Sequence, residues 1–222
     1  MAAGLTVPEE RRPHSIHCYF LRGGRHDVPA EHEVQRVRDG RSFSVRRVVT
    51  RQNGQEIFTA ACSFHVEEPG VEHQVGGLPE GVPAPETMPD QPRIGHNTMF
   101  EVREIASVGP TGGWVPPSRI WARTRGPMPD DDLRNTVAVC YLSDMGWAFG
   151  ALVEGGGPSI DHAVWFHRPT RADQWLLLDL TPVEARGARG VYLGTVHDAS
   201  GVLVATLAQE ALIRPSVEPK PA

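Results

Sequence analysis

The sequence predicts an α+β fold in which an antiparallel sheet wraps a long buried helix, with this unit present twice and its first copy incomplete. Three observations predict it. Strand-like runs rich in Val, Ile, Phe and Tyr alternate with turn signals, one long apolar run carries helix start and stop signals, and two segments recur at nearly equal offsets. A length of 222 residues suits one large domain or two small ones sharing a core. The 40% hydrophobic and 22% charged fractions are ordinary for a globular chain, which excludes collagen, coiled coil and disorder throughout.

Residues 14–22, 31–38, 41–52 and 55–66 read as four strands, divided by Gly23-Gly24, Asp39-Gly40 and Asn53-Gly54. Asp-Gly and Asn-Gly between β-type runs are hairpin signals, because the favoured two-residue turn needs positive φ at both central positions. Residues 67–97 carry six prolines among glycines and read as part of a connector with little regular structure. Phe100–Val108 and Ser118–Arg125 are two further strands. Pro129-Asp130-Asp131-Asp132 then supplies a cap and first-turn acids that suit a helix dipole. The run from Leu133 to Val153 is almost uniformly apolar, so the helix is expected to be buried on most sides. Gly155-Gly156-Gly157-Pro158 ends it, and strands at 159–168, 174–183, 188–197 and 202–214 follow.

The repeat is visible in short matches. Cys18-Tyr-Phe-Leu-Arg22 aligns with Val164-Trp-Phe-His-Arg168 at an offset of 146, and Asn53-Gly54 aligns with Ser200-Gly201 at 147. The second copy has a strand and the long helix ahead of its matching strand, whereas the first has only thirteen residues ahead of the strand at 14–22. The expected organisation is a first unit at 1–66, a connector at 67–99, a second unit at 100–214 and a tail at 215–222.

The positions that carry chemistry are few. Val137, Cys140, Asp144, Ala148 and Ala151 fall on one face at helical spacing, which places a carboxylate on an apolar stripe. Such a group is costly to bury without hydrogen-bond partners. Asp144 is thus either a general base or a carboxylate capping a neighbouring loop. Leu203, Ala205, Leu207, Gln209 and Ala211 share one strand face by the period of two. Gln209 there can donate and accept without titrating, as holding a water requires, or it can bond to edge backbone. Ser159 begins the strand after the glycine run and is by itself an ordinary strand start. His162 and His167, five apart on one strand, face opposite sides, which argues against a metal site between them. There is no Gly-x-Ser-x-Gly elbow for a nucleophilic serine and no Gly-rich phosphate loop. Arg46, Arg47, Arg168 and Arg189 are either phosphate contacts or solvated strand charges.

Five segments, in order, bring a family to mind: His14-Ser-Ile-His-Cys-Tyr-Phe-Leu-Arg22, Arg38-Asp-Gly-Arg-Ser-Phe43, Tyr141-Leu-Ser-Asp144, Ile160-Asp-His-Ala-Val-Trp-Phe-His-Arg-Pro169 and Ala208-Gln-Glu210. Together they resemble the acyl-CoA thioesterase II family, from about Val7 to Arg214. The resemblance implies a tandem, or double, hotdog fold and hydrolysis of fatty acyl-CoA to free acid and coenzyme A. It implies Asp144, Ser159 and Gln209 as the catalytic set, holding a water for direct attack, with neither cofactor nor metal. Family members carry a longer N-terminal segment with a Gly-Gly-Gln motif and the first hotdog helix, so this chain is expected to be a shortened member. A different reading is a catalytically impaired acyl-CoA-binding or assembly subunit that has lost part of its pocket. Its first sheet, with Ile16, Phe43 and Ile57 on the inner face, is expected to be uncovered and to drive homo-oligomerisation.

Charge and cysteine content bound the rest. The net charge of −5 argues against nucleic-acid binding, although residues 1–60, with ten Arg and seven acids, are modestly basic. Cys18, Cys62 and Cys140 are an odd, scattered set in apolar runs, which predicts free thiols rather than disulfides or zinc. No secretory signal and no apolar run of membrane-spanning length is present, and the expected location is cytoplasmic.

Overall fold

The computed structural model describes residues 1–91, 98–105, 118–145 and 157–214. Its strands are β1 (Arg11–Phe20), β2 (Glu31–Asp39), β3 (Phe43–Gln52), β4 (Gln55–Val66), β5 (Phe100–Ile105), β6 (Ser118–Thr124), β7 (Ser159–Phe166), β8 (Leu176–Arg186), β9 (Arg189–Asp198) and β10 (Leu203–Leu212). All join one antiparallel sheet in the order β2-β3-β4-β1-β7-β10-β9-β8-β6-β5. The repeat is explicit in this order. Outward from the centre, β1-β4-β3-β2 on one side matches β7-β10-β9-β8 on the other. The two copies meet at a seam where Ile16 stands opposite Val164 and Cys18 opposite His162. At the β3–β4 turn, Asn53 and Gly54 have φ of 50° and 74°, the double positive φ that the hairpin demands.

Among the described residues one α-helix, α1 (Asp132–Ser143), lies against the inner face of the sheet. Asp131 caps it by accepting from the Arg134 amide at 2.9 Å. Buried Asn135 donates to Pro129 O and Asp131 O, and accepts from the Ala172 amide. The helix is shorter than expected. Asp144 turns with φ −93° and ψ −2°, and its amide bonds back to Tyr141 and Leu142, so the coil tightens and stops. Residues 146–153 of the expected helix lie outside the described residues. Nor is α1 buried on most sides: Asn135, Val139, Leu142 and Ser143 are buried while Arg134 and Tyr141 are exposed.

The main core joins the inner faces of the second copy to α1 through Val139, Leu142, Val164, Leu178, Tyr192 and Leu207, all at most 2% exposed. In the first copy, Cys18, Val48, Ala60 and Phe64 pack with Ala3 from a short N-terminal 3₁₀ turn, Gly4–Thr6. Ile16 reaches both clusters, as its expected inward position requires. Phe43 and Ile57 do not lie on that inner face. The buried members of β3 are Ser44, Arg46, Val48 and Thr50, with Val49, so Phe43 is out of phase, 44% exposed, and stacked on His65 at 4.3 Å. Ile57 is likewise one residue out of step with inward Phe58.

Arg46, expected to meet solvent or phosphate, is 1% exposed. It donates to Thr6 Oγ1, Thr6 O, Arg38 O and the Asp39 carboxylate, tying the N-terminal turn to the sheet. The connector is a cover as well as a link. Leu78, Val82 and Met88 pack on Trp121, Trp175 and Leu177, and Trp121 donates its indole N–H to Pro83 O at 2.9 Å. No helix among the described residues is long and apolar enough to cross a membrane.

Candidate active site

The stop of α1 sets the first functional group. At its end, Asp144 projects from a turn rather than from mid-helix, still in line with Val137 and Cys140 along the wall of an apolar cavity. Two neighbouring strands bring the others. Gln209 lies on the inward face of β10, 3% exposed, and Ser159 opens β7. Asp144 Oδ1 accepts from Ser159 Oγ at 2.8 Å and from Gln209 Nε2 at 2.6 Å, and Gln209 Nε2 also donates to Ser159 Oγ at 2.7 Å. The three predicted residues therefore meet in one closed triangle of hydrogen bonds. Among the described residues, Asp144 Oδ2 carries no hydrogen bond.

A bulge makes the triangle possible. Along the β7–β10 ladder, Gln209 pairs with His162 and Glu210 with Asp161, but Ala211 pairs with Ser159, leaving Ile160 as the extra residue. Strict alternation from inward His162 would turn Ser159 outward. The extra residue returns it to the side of Gln209 and Ala211.

The cavity beside the triangle measures about 370 Å³ and runs between α1 and the inner face of the first copy, lined by Ile16, Phe58, Phe64, Leu133, Val137 and Phe166 among others. Much of the face expected to lie uncovered is thus a cavity wall. All three cysteines border it, and all three are free. Burial pushes the Cys18 and Cys140 thiols up to about 12 and that of Cys62 to about 11. Near neutral pH none is a thiolate, so none is a ready nucleophile.

The sequence places His162 and His167 on opposite faces, against a metal site between them. The two do part: His167 bonds outward to Thr206 Oγ1 at 3.0 Å, whereas His162 is 2% exposed at the cavity. Its Nε2 lies 2.7 Å from Ser143 Oγ. Burial lowers its pKa, opposed in part by the Asp144 carboxylate and the Gln209 side chain. Sequence reasoning missed this contact; the available signal was that Ser143 adjoins Asp144 and that His162 shares the strand Ser159 opens. Of the arginines considered for phosphate, Arg168 reaches Leu203 O and Arg189 pairs with Glu210.

The architecture is that of a tandem hotdog protein. A protein from Alicyclobacillus acidocaldarius described as having a hot dog fold superposes with a TM-score of 0.76 over 97% of this chain and 84% of that one, at 21% identity. The acyl-CoA thioesterase II TesB2 of Mycobacterium marinum superposes with a TM-score of 0.83, at 35% identity over 97% of this chain and 86% of that one. In sequence, acyl-coenzyme A thioesterase 8 of Mus musculus is 34% identical over 96% of this chain and 77% of its own length. Residues 1–65 match the acyl-CoA thioesterase N-terminal domain, and residues 79–213 match the C-terminal domain of the same family. The chain belongs to the acyl-CoA thioesterase II family and is a thioesterase.

Proposed function

We propose that the chain hydrolyses fatty acyl-CoA thioesters with a water held by Asp144, Ser159 and Gln209. The observation that carries this reading is the convergence of Ser159 Oγ and Gln209 Nε2 on one oxygen of Asp144 at the wall of an apolar cavity. With Oδ1 occupied by two donors, Oδ2 is the basic atom available to a water. Ser159 Oγ, which donates one proton and accepts from Gln209, keeps a second lone pair for that water. The water gives a proton to Oδ2 while its oxygen bonds to the thioester carbonyl carbon. The tetrahedral adduct then reforms the carbonyl and breaks the carbon–sulfur bond. The thiolate of coenzyme A leaves and recovers the proton from Asp144. An apolar cavity of this size suits the acyl chain, which gains by leaving water.

Release of thiol from acyl-CoA of graded chain length, followed with a thiol reagent, tests the proposal. Turnover that rises with chain length until the cavity is full is expected; background release at every length would refute it. The same reading includes a self-associating chain in the cytoplasm. Three free thiols suit a reducing compartment. Tyr19, Trp165 and Leu193 are 56%, 38% and 52% exposed, apolar surface that association can cover. Light scattering on the assayed protein reports its mass, and a monomer at micromolar concentration would contradict association.

A further inference from the structure

Two buried polar atoms at this site have no hydrogen-bond partner among the described residues: Nδ1 of His162 and Oε1 of Gln209. The residues that carry them stand opposite each other in the β7–β10 ladder. The protons around them are few enough to count. Both Nε2 hydrogens of Gln209 are committed, one to Asp144 and one to Ser159. Ser143 has a single hydroxyl proton, and its Oγ lies 2.7 Å from both Cys140 O and His162 Nε2. If that proton goes to Cys140 O, a neutral His162 must carry its own on Nε2. Nδ1 and Oε1 are then two bare acceptors buried on facing residues of the ladder. If it goes to Nε2, the imidazole proton moves to Nδ1, and a small rotation of the two facing side chains lets one hydrogen serve both atoms, at the cost of a single carbonyl at a helix end. Buried acceptors without donors are the dearer alternative.

We infer that His162 is a positioning residue for the thioesterase reaction: neutral and protonated on Nδ1, it donates to Gln209 Oε1 and holds that amide with its NH₂ toward Asp144 and Ser159. The amide needs such a guide. Its oxygen and nitrogen have nearly the same shape, and a flipped Gln209 would aim Oε1 at the Asp144 carboxylate, breaking both bonds that shape the triangle. Ser143 in turn fixes the ring by donating to Nε2. The tautomer is selected by the partner of the other nitrogen, as is general for histidine. Burial keeps the ring neutral near pH 7. His162 touches neither water nor thioester in this scheme; it acts through Gln209, and the inference rests on the catalytic reading proposed above.

A double-mutant cycle on the thiol-release assay tests it. His162→Leu is expected to lower kcat about tenfold or more with little change in KM, because geometry at the reacting centre is lost while acyl binding is not. Combined with Gln209→Ala, it should add nothing to the loss caused by Gln209→Ala alone, since a residue acting only through a partner has no effect once the partner is gone. His162→Asn, whose amide nitrogen can replace Nδ1–H, should restore most of the turnover. His162→Gln, which replaces Nε2 instead, should not. Full multiplication of the two single losses would overturn the inference, and so would equal behaviour of the Asn and Gln variants. If Gln209→Ala alone leaves kcat unchanged, the failure lies with the catalytic reading itself. Should His162→Leu not fold, nitrogen NMR of the labelled imidazole in the unmodified chain decides: an Nδ1–H tautomer at pH 7.5 supports the inference and an Nε2–H tautomer refutes it.

Discussion

In the proposed reaction Asp144 divides its two oxygens between different tasks. Oδ1 accepts from Ser159 and Gln209, which hold the carboxylate in one orientation, and Oδ2 takes the proton of the water. Asp144→Asn keeps the shape but cannot take a proton from water. Turnover is expected to fall by about 100-fold or more, the usual loss of a general base, with the unfolding midpoint little changed. An unchanged rate would make Asp144 a structural cap. At this scale the sequence was informative about identity and silent about contact. An aspartate on an apolar stripe and a glutamine on an apolar strand face stand out because burying either is costly, and the family resemblance added Ser159. The roles of Ser143 and His162 were not legible, since a serine near a helix end and a histidine in a strand are common without any site. Arg46 was misread for a related reason. Its charge suggests solvent, and only the folded chain shows the acceptors from Thr6, Arg38 and Asp39 that make burial tolerable.

Among the elements, the strands were the most legible, because β-branched and aromatic runs between Asp-Gly and Asn-Gly turns leave little choice of structure. The helix end was not. An apolar pattern continues past Ser143, and the stop depends on the turn at Asp144. The bulge at Ile160 is equally hidden, as one extra residue leaves no mark on a short alternating pattern, yet it aims Ser159. Gly194 shows how tightly the second copy is packed. A Cβ there would meet Leu180 Cδ2 at 2.5 Å, Leu207 Cγ at 3.1 Å and the Asp179 carbonyl at 3.2 Å. The two leucines can yield a little, but the carbonyl belongs to the ladder and cannot. Gly194→Ala is therefore expected to destabilise the fold by about 1–3 kcal/mol, as overpacking does, despite replacing glycine in a strand with a residue of lower conformational freedom. Urea unfolding at pH 7.5 measures it; a midpoint equal to or above that of the unmodified chain would contradict this packing.

At the scale of the molecule, four histidines share one electrostatic condition. Burial is the main cause lowering the pKa of His14, His162, His167 and His197 below the ordinary 6.5. Between pH 6.5 and the lowered folded values, the unfolded chain binds more protons than the folded one, so stability rises with pH there and falls on acidification. A second loss follows at lower pH. Asp39, bonded by Ser44 and Arg46, Asp90 by Arg125, and Asp173 by Arg171 are all held below the usual carboxylate range. Their contribution is present above the unfolded value near 3.8 and disappears as pH falls through the folded values. Urea midpoints are expected to drop from pH 7.5 to 5.5 and again below pH 4; a flat profile from 7.5 to 5.5 would show that these histidines protonate freely in the fold. The seam between β1 and β7 has a consequence in time rather than in energy. Cys18 and His162 meet there across 144 positions of chain, whereas the β2–β3, β3–β4, β8–β9 and β9–β10 hairpins close over a few residues. Local ladders form sooner than distant ones, so each half reaches the seam with an unpaired edge still open. During that interval the β1 of one molecule can accept the β7 of another through the same register. Crowded refolding should therefore yield exchanged pairs, and the final join is the step at which the chain can mistake a neighbour for itself.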